Sequence, residues 1–260
     1  MGAIALHHEI TGEPGTPPVL LLNSLGSTLA MWERQVPALA ERFLVLRCDM
    51  RGHGESPVPQ GPYAIDDLVD DAVALLDNLD IQRAHVAGLS LGGMIAMRLA
   101  ARDPGRVERL ALLCTSAQLG PPETWAERAA TVRAEGAGAV ADTVVSRWLT
   151  ETRRSSDPHT AEYLREMVAS TPSDGYAACC DAIREADLRA DLATITAPTL
   201  VISGTDDPST PPVHLQAIAA GIPGARLLEF ADCAHMATID QADAVTAALV
   251  EHFSAGGQRG

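Results

Sequence analysis

The sequence predicts a mostly parallel, doubly wound α/β sheet with an inserted helical cap, and three observations lead to this fold class. First, six short strand-like runs are mostly apolar, with continuous rather than alternating hydrophobicity, as in strands that are buried on both faces of a parallel sheet. Second, amphipathic helical patterns separate most of these runs. Third, residues 119–187 contain no such run, only helix-forming segments interrupted by Gly and Pro. With 260 residues and 47% hydrophobic content, the chain is long enough for one large core.

The predicted strands and helices alternate along the chain. The six strand-like runs are residues 19–23, 43–48, 84–88, 109–114, 199–203 and 225–230. Apolar residues spaced by three and four positions mark one helix between residues 65 and 79 and another near residues 245–253. Because strand and helix alternate, the strands are expected to be parallel. Residues 3–10 and the turn-rich segment 11–18 instead predict an antiparallel edge hairpin that leads into the first buried strand.

One stretch interrupts this alternation and divides the predicted core. Residues 119–187 follow the strand at 109–114 and are predicted to form a helical cap. The core then consists of residues 1–118 and 188–260. Ligands of open α/β sheets bind outside the carboxyl ends of the strands, so a cap inserted there would roof the binding crevice.

The composition is that of an acidic soluble enzyme that acts on a small molecule. The formal net charge of −15 argues against nucleic acid or an anionic membrane as a partner, because both bind basic surfaces. All 19 basic residues are arginine, which excludes Schiff-base chemistry and a lysine general base. The sequence leaves open whether the chain forms a homo-oligomer.

The cysteines and the N-terminal segment predict a cytoplasmic location. The five cysteines are odd in number and show neither C-x-x-C nor Cys/His ligand spacing, so neither a disulfide framework nor a metal site is expected. The first residues have no charged segment followed by a cleavable apolar stretch. No run approaches the roughly 18 apolar residues that span a membrane.

The most informative motif is the pentapeptide Gly88-Leu89-Ser90-Leu91-Gly92, which follows a predicted strand and precedes a predicted helix. A turn of this kind holds the serine in a strained conformation with Oγ clear of the sheet. Small residues two positions before and after the serine allow the backbone to fold that tightly. Ser90 is therefore the candidate nucleophile.

Two residues further along the chain are candidates for the base and for the acid that orients it. A serine nucleophile needs both, and in this type of fold the acid and then the histidine follow the serine. Asp207 follows the strand at 199–203, and His235 follows the strand at 225–230. Both are therefore expected on the same rim of the sheet as Ser90.

Each of these two residues has an alternative. Asp206 is adjacent to Asp207, but its position favours a solvent-facing or turn-capping role. His53, between two glycines, is the one competing base, although it precedes Ser90 and so has the wrong chain order. His252 is interpreted as a surface residue.

Two main-chain N–H groups are predicted to bind the negative oxygen that develops during attack on a carbonyl group. Leu91 directly follows the nucleophile, and Leu25 lies in the loop after the strand at 19–23. These two residues form the predicted oxyanion hole.

The residues named so far resemble those of the α/β-hydrolase superfamily and, within it, the 3-oxoadipate enol-lactonases of aromatic catabolism. The segments that carry the likeness extend over nearly the whole chain. They are N-S-L-G-S-T-L-A-M-W, D-M-R-G-H-G-E-S, A-G-L-S-L-G-G-M, G-P-P-E-T-W, S-R-W-L-T, G-Y-A-A-C-C-D-A-I-R and C-A-H-M. The G-x-S-x-G motif is common to the whole superfamily, whereas N-S-L-G and the cap segments occur in a much narrower group of its members. The sequence departs from many relatives at Asn23-Ser24, where those proteins have His-Gly.

The resemblance implies a serine hydrolase of the α/β-hydrolase fold that opens 3-oxoadipate enol-lactone through an acyl-enzyme, without a metal or cofactor. In that reaction Ser90 would attack the lactone carbonyl, His235 would act as the base and Asp207 would hold its tautomer. The substrate carries a carboxylate, so a chain this acidic needs a local cation to receive it. Arg147, beside Trp148 in the cap, is the candidate for this contact.

Two other functions remain open on the sequence alone. One is a different serine hydrolase of the same fold, such as a general carboxylesterase, another lactonase, a perhydrolase or a C–C bond hydrolase. The other is a ligand-binding receptor built on this scaffold, which the intact Ser90, Asp207 and His235 disfavour. Haloalkane dehalogenases and epoxide hydrolases use an aspartate where this chain has Ser90.

Overall fold

The computed structural model describes residues 2–255 and shows a seven-stranded sheet with helices packed against it. The strands are β1 His8–Thr11, β2 Pro18–Leu22, β3 Leu44–Cys48, β4 Ala84–Leu89, β5 Val107–Leu113, β6 Thr199–Gly204 and β7 Arg226–Phe230. Their order across the sheet is β1-β3-β2-β4-β5-β6-β7, and every pair except β1 with β3 is parallel. The predicted fold class is thereby confirmed. Met1 and residues 256–260, which the sequence assigns to the two parts of the core, lie outside the described residues.

Helices follow the strands as the sequence predicts. They are α1 Val36–Ala40, α2 Ile65–Asn78, α3 Leu91–Arg102, α4 Pro122–Glu135, α5 Gly138–Trp148, α6 Glu151–Ser156, α7 Pro158–Ala169, α8 Ser173–Glu185, α9 Pro212–Gly221, α10 Ala237–Asp240 and α11 Ala242–Ser254. The start of α2 illustrates the local chemistry: Asp67 Oδ2 accepts a hydrogen bond from the Ala64 main-chain N–H at 2.8 Å, and two acidic residues occupy the first turn. Within residues 2–255, no helix is both long and apolar enough to cross a membrane.

The core lies along the central strands. All six residues of β4 and all six of β6 are buried, as their continuous apolar sequences predict. β7 differs, because each of its residues is half-buried or exposed. It pairs only with β6, at the edge of the sheet, and therefore has a neighbouring strand on one side only.

The predicted N-terminal hairpin is wrong in its pairing. β1 is an antiparallel edge strand, but its partner is β3, with His8 opposite Cys48 and Thr11 opposite Val45. The reason is the position of β2, whose two edges are already occupied by β3 and β4. The free edge of β3 is the one available to β1.

The interpretation of His252 as a surface residue is also wrong. Its side chain is buried on α11, and its ring Nε2 lies 3.0 Å from the main-chain oxygen of Leu110. Burial lowers the pKa of His252 to about 4. The residue shares its helix face with Val245 and Leu249, so the helical spacing already contained this signal.

Between β5 and β6 the chain forms helices α4 to α8. The described residues of this segment contain no strand. α4 packs against α8, and α5 packs against α7. The end of α5 also contacts the core, because the Met236 N–H donates a hydrogen bond to the Trp148 carbonyl at 2.7 Å. The domain boundaries at residues 118 and 187 stay a prediction.

Candidate active site

Ser90 occupies the sharp turn between β4 and α3. Its φ of 58° and ψ of −118° place a non-glycine residue in a sparsely populated region of backbone conformation. The turn is fixed by main-chain bonds: the Ser90 N–H donates to the Leu113 carbonyl at 3.0 Å, and the Ser90 carbonyl accepts from Thr115 Oγ1 at 2.6 Å. These hydrogen bonds, one of them to the neighbouring strand β5, stabilise the strained conformation of Ser90.

The glycines of the motif are required by close backbone contacts. A Cβ atom on Gly88 would collide with the carbonyl of Gly92, and a Cβ on Gly92 would collide with the carbonyl of Leu22. The Gly92 N–H also donates to the Asn23 carbonyl at 2.8 Å. The serine turn and the loop after β2 are thus held directly against each other.

Asp207 and His235 form a buried pair. His235 Nδ1 lies 2.8 Å from Asp207 Oδ2, and the two residues are each 3% exposed. A carboxylate can only accept a hydrogen bond, so the proton lies on Nδ1 and Nε2 is left as an acceptor. This is the tautomer that a histidine base requires.

The loop after β6 holds the Asp207 carboxylate in place. Oδ1 accepts hydrogen bonds from the N–H groups of Ser209 and Thr210 at 2.8 and 3.1 Å, and Oδ2 accepts from Thr210 Oγ1 at 2.6 Å. Burial alone would raise the pKa of Asp207, but His235 and Thr210 together lower it below its usual value. Asp206 is exposed, and its Oδ2 accepts a hydrogen bond from Thr205 Oγ1 at 3.3 Å.

A cavity of about 200 Å³ is lined by the predicted site residues other than Asp207 and Leu91. Ser90, His235 and Leu25 contribute from the core, and Arg147 and Trp148 contribute from α5. The Ser90 and His235 side chains are not hydrogen-bonded to each other within the described residues. Such bonds are often long before substrate binds. Asp207 lies behind His235 and does not line the cavity.

The two predicted oxyanion donors lie at the start of α3 and in the loop after β2. As the first residue of α3, Leu91 has a main-chain N–H with no helical acceptor. For neither Leu91 nor Leu25 does the described part of the chain provide an acceptor for this N–H.

The loop that carries Leu25 is held by His53, the residue that the sequence offered as a rival base. The Gly26 N–H donates to His53 Nε2 at 2.9 Å, and His53 Nδ1 lies 3.2 Å from the Arg51 carbonyl. Burial lowers the pKa of His53 to about 4, so the ring is neutral and can accept at Nε2 while donating at Nδ1. His53 does not line the cavity, and it fixes the residue next to Leu25.

Asn23 has a similar supporting position. Its Nδ2 donates to the Cys48 carbonyl at 2.7 Å, and its Oδ1 accepts from Trp32 Nε1 at 3.1 Å. Asn23, which stands where many relatives have His, therefore anchors the loop after β2 to β3 and to the segment that contains Trp32.

Arg147 is exposed at the end of α5 and pairs with no carboxylate of residues 2–255. Its main-chain carbonyl accepts from the His235 N–H at 3.4 Å. Trp148 is buried at 3% exposure. The end of α5 therefore lines the cavity and also contacts the loop that carries the histidine.

Trp125 and Arg128 of α4 are among the residues that line the same cavity and that sequence reasoning missed. The Arg128 guanidinium carbon lies 5.4 Å from the centroid of the Trp125 ring. The spacing of three positions between an aromatic residue and an arginine on one helix was the available signal. No group of three or more His, Cys, Asp or Glu residues in the described part of the chain is arranged to hold a metal ion.

Comparisons with known proteins identify the family of this chain. The family model for the alpha/beta hydrolase fold matches residues 17–242. 3-Oxoadipate enol-lactonase 2 of Acinetobacter baylyi is 36% identical over 246 residues, which cover 95% of this chain and 92% of the relative.

Two solved structures are similar over nearly the whole chain. The enol-lactonase from Burkholderia xenovorans LB400 is 44% identical, with a TM-score of 0.94 and 96% of each chain covered. A malate-bound thermophilic esterase from Thermogutta terrifontis is 31% identical, with a TM-score of 0.89 and coverage of 95% of this chain and 92% of that one. This chain therefore belongs to the α/β-hydrolase family and is a hydrolase.

Proposed function

We propose that the protein opens 3-oxoadipate enol-lactone to 3-oxoadipate with Ser90, His235 and Asp207 as its catalytic triad. The observation that carries the proposal is the cavity itself, where Ser90 and the Asp207-bound His235 meet arginines of the cap that have no carboxylate partner among residues 2–255. The similarity to two proteins named as enol-lactonases supports the substrate class.

The reaction begins at Ser90. Oγ attacks the lactone carbonyl while its proton moves to His235 Nε2, and Asp207 stabilises the imidazolium that forms. The carbonyl oxygen becomes an oxyanion, which accepts hydrogen bonds from the N–H groups of Leu25 and Leu91. We expect little reorganisation of either donor, because the adjacent Gly26 and Gly92 N–H groups are held by His53 Nε2 and the Asn23 carbonyl.

Collapse of the tetrahedral intermediate breaks the ring C–O bond. The leaving group is an enolate, which takes the proton from His235 and tautomerises to a ketone while the acyl group stays on Ser90. A water molecule then loses a proton to His235 and attacks the acyl-enzyme, and Ser90 Oγ leaves with that proton. The product is 3-oxoadipate, and the enzyme returns to its initial state.

The substrate carboxylate requires a cation in this acidic chain. Arg147 lines the cavity beside Trp148, and its charge is not neutralised by a carboxylate of the described residues. We assign it to the binding of the substrate carboxylate at the cavity entrance.

Arg147→Gln should raise the KM for the anionic enol-lactone by about tenfold, the low end of the range for charge-assisted hydrogen bonds, because this side chain is exposed. Hydrolysis of a neutral ester should change little, since a neutral ligand loses no charged partner. Steady-state kinetics on both substrates measures the difference. An equal loss on both would assign Arg147 to support of the cap.

His53→Phe should lower kcat by about 10- to 100-fold with little change in KM, because the Gly26 N–H loses its acceptor and the adjacent Leu25 donor is displaced. His85→Phe is the matched control, since His85 is also buried but lies at the amino end of β4. Equal kcat values for wild type and His53→Phe would exclude this positioning role.

A general carboxylesterase is the second candidate, favoured by the similarity to the Thermogutta esterase. Such an enzyme would prefer neutral p-nitrophenyl esters to an anionic lactone. The unpaired arginines of the cavity favour the lactone.

The cellular setting that we propose follows from the same resemblance. The reaction belongs to the β-ketoadipate pathway of aromatic catabolism and takes place in the cytoplasm. The five cysteines are free and buried, which fits a reducing compartment.

The proposal is tested by adding the pure protein to freshly generated 3-oxoadipate enol-lactone. Loss of the lactone absorbance and the appearance of 3-oxoadipate in the NMR spectrum are expected. A decay rate equal to that in buffer would overturn the proposed substrate.

A further inference from the structure

We infer that Arg128 is the principal receptor for the substrate carboxylate and that it determines the specificity for anionic lactones. The inference rests on the proposed function, because it assigns a residue to the charged end of that substrate. It goes beyond the assignment of Arg147, which lies at the exposed end of α5.

The first argument is the unsatisfied charge of Arg128. Most arginines of residues 2–255 pair with a carboxylate, as Arg133 on the same helix pairs with Asp181. Arg128 is half-buried, has no carboxylate partner in this part of the chain, and has a buried Nε without a hydrogen-bond acceptor. A partly buried donor without an acceptor lowers the stability of the folded protein. In a chain with 34 acidic residues, a carboxylate partner would be easy to supply. Arg128 lines the cavity, and its positive charge is left without a counter-ion in the described part of the chain.

The second argument is the way the guanidinium is held. Its central carbon lies 5.4 Å from the ring centroid of Trp125 and 5.4 Å from that of Tyr176. Contacts with aromatic rings stabilise the cation and limit its rotamers. A guanidinium fixed in this way keeps its donors for a planar, bidentate carboxylate.

The third argument is the link between this receptor and the reacting end of the cavity. Tyr176 is fully buried on α8, and a Cβ atom on Gly26 would lie only 2.9 Å from its Cε2. Arg128 therefore stacks on a ring that packs against the residue next to Leu25. This contact fixes the distance between the carboxylate receptor and the oxyanion donors, so the cavity selects both the charge and the length of the substrate.

Burial decides between the two arginines. A charge-assisted hydrogen bond is weakened by water and salt at an exposed side chain and is stronger where solvent is excluded. Arg128 is half-buried and Arg147 is exposed, although both line the cavity. Arg128 therefore contributes more to affinity, and Arg147 adds a second cation at the entrance.

The kinetic test compares two enol-lactones that differ in charge. One is 3-oxoadipate enol-lactone, and the other is 5-methyl-2(3H)-furanone, which has the same ring and no carboxylate. Arg128→Gln should raise the KM for the anionic lactone by about 10- to 100-fold and leave kinetics on the neutral lactone nearly unchanged. Arg128→Lys keeps the positive charge but lacks the planar guanidinium that binds a carboxylate bidentately, and it should give an intermediate KM.

Arg42→Gln is the matched control for the loss of one positive charge. Arg42 is exposed and precedes β3, so it lies toward the amino ends of the strands and away from the cavity. This variant should match wild type on both lactones. Equal losses on both lactones in Arg128→Gln would overturn the inference.

A binding measurement separates this inference from the proposed function. Calorimetry on Ser90→Ala and on Ser90→Ala/Arg128→Gln uses a saturated γ-lactone that bears a carboxymethyl group, with its methyl ester as the neutral probe. The anion should bind about 10- to 100-fold more weakly to the double variant, and the methyl ester equally to both. Equal affinity for the anion would refute the role of Arg128 even if wild type hydrolyses the enol-lactone. Failure of wild type to hydrolyse the enol-lactone would refute the proposed substrate and leave the calorimetric result to decide on Arg128.

Discussion

Ser90→Ala should lower kcat by about 10⁶-fold on any substrate of this enzyme, because removal of the nucleophile of a triad leaves only binding and the oxyanion donors. The fold should be retained. The strained backbone conformation of Ser90 is held by its own N–H, which donates to the Leu113 carbonyl, and by its carbonyl, which accepts from Thr115 Oγ1; neither hydrogen bond involves the Ser90 hydroxyl group.

The measurement is single-turnover kinetics on the purified variant, with circular dichroism and a thermal melt as controls for folding. Gly88→Ala is the contrasting variant, since its added Cβ would collide with the Gly92 carbonyl and should destabilise the turn itself. More than a few per cent of wild-type activity in folded Ser90→Ala would rule out Ser90 as the nucleophile.

Asp207→Asn should lower kcat by about 10⁴-fold, because an amide in place of the carboxylate allows His235 to adopt the wrong tautomer. The structure supports a large effect, since the Asp207 carboxylate is buried and lies 2.8 Å from His235 Nδ1. KM should change much less than kcat, because Asp207 does not line the cavity.

Asp206→Asn is the matched control for this prediction. Asp206 is the adjacent residue, is exposed, and has Thr205 Oγ1 as the donor to its carboxylate at 3.3 Å. Its replacement should leave kcat nearly unchanged. If Asp206→Asn caused the large loss of kcat and Asp207→Asn only a small one, the acid of the triad would have been assigned to the wrong residue.

The positions of Ser90, Asp207 and His235 could be predicted because each follows a strand of the sheet, β4, β6 and β7 respectively. The carboxyl ends of parallel strands meet at one edge of the sheet, so the order of strands along the sequence carries three-dimensional information. The choice of Asp207 over Asp206 could be argued from loop position, and the buried contact with His235 agrees with that choice.

The contribution of α4 could not be predicted, because it depends on how the cap helices pack. Ala129 and Val132 are the only fully buried side chains of α4 within the described residues, so its amphipathic pattern is weak. Arg128 contacts the cavity and Tyr176 only because α4 packs on α8. The pairing of β1 with β3 escaped prediction for the same reason, since it depends on which sheet edge remains free.

The bond between His53 and Gly26 also depends on tertiary structure. The two glycines that flank His53 predicted a tight turn, but nothing in the sequence indicated which loop the ring would contact. The residue lies 27 positions from its partner along the chain.

The most direct test of the account is the ratio of kcat/KM for 3-oxoadipate enol-lactone to that for 5-methyl-2(3H)-furanone, measured on the wild-type protein at low ionic strength. If a hydrolytic serine site selects an anionic enol-lactone through cap arginines, the ratio should be at least about tenfold in favour of the carboxylated lactone. It should also fall as salt is added, because the arginine contacts are electrostatic. A ratio of one or less would contradict the account and would favour a general esterase that binds neutral substrates.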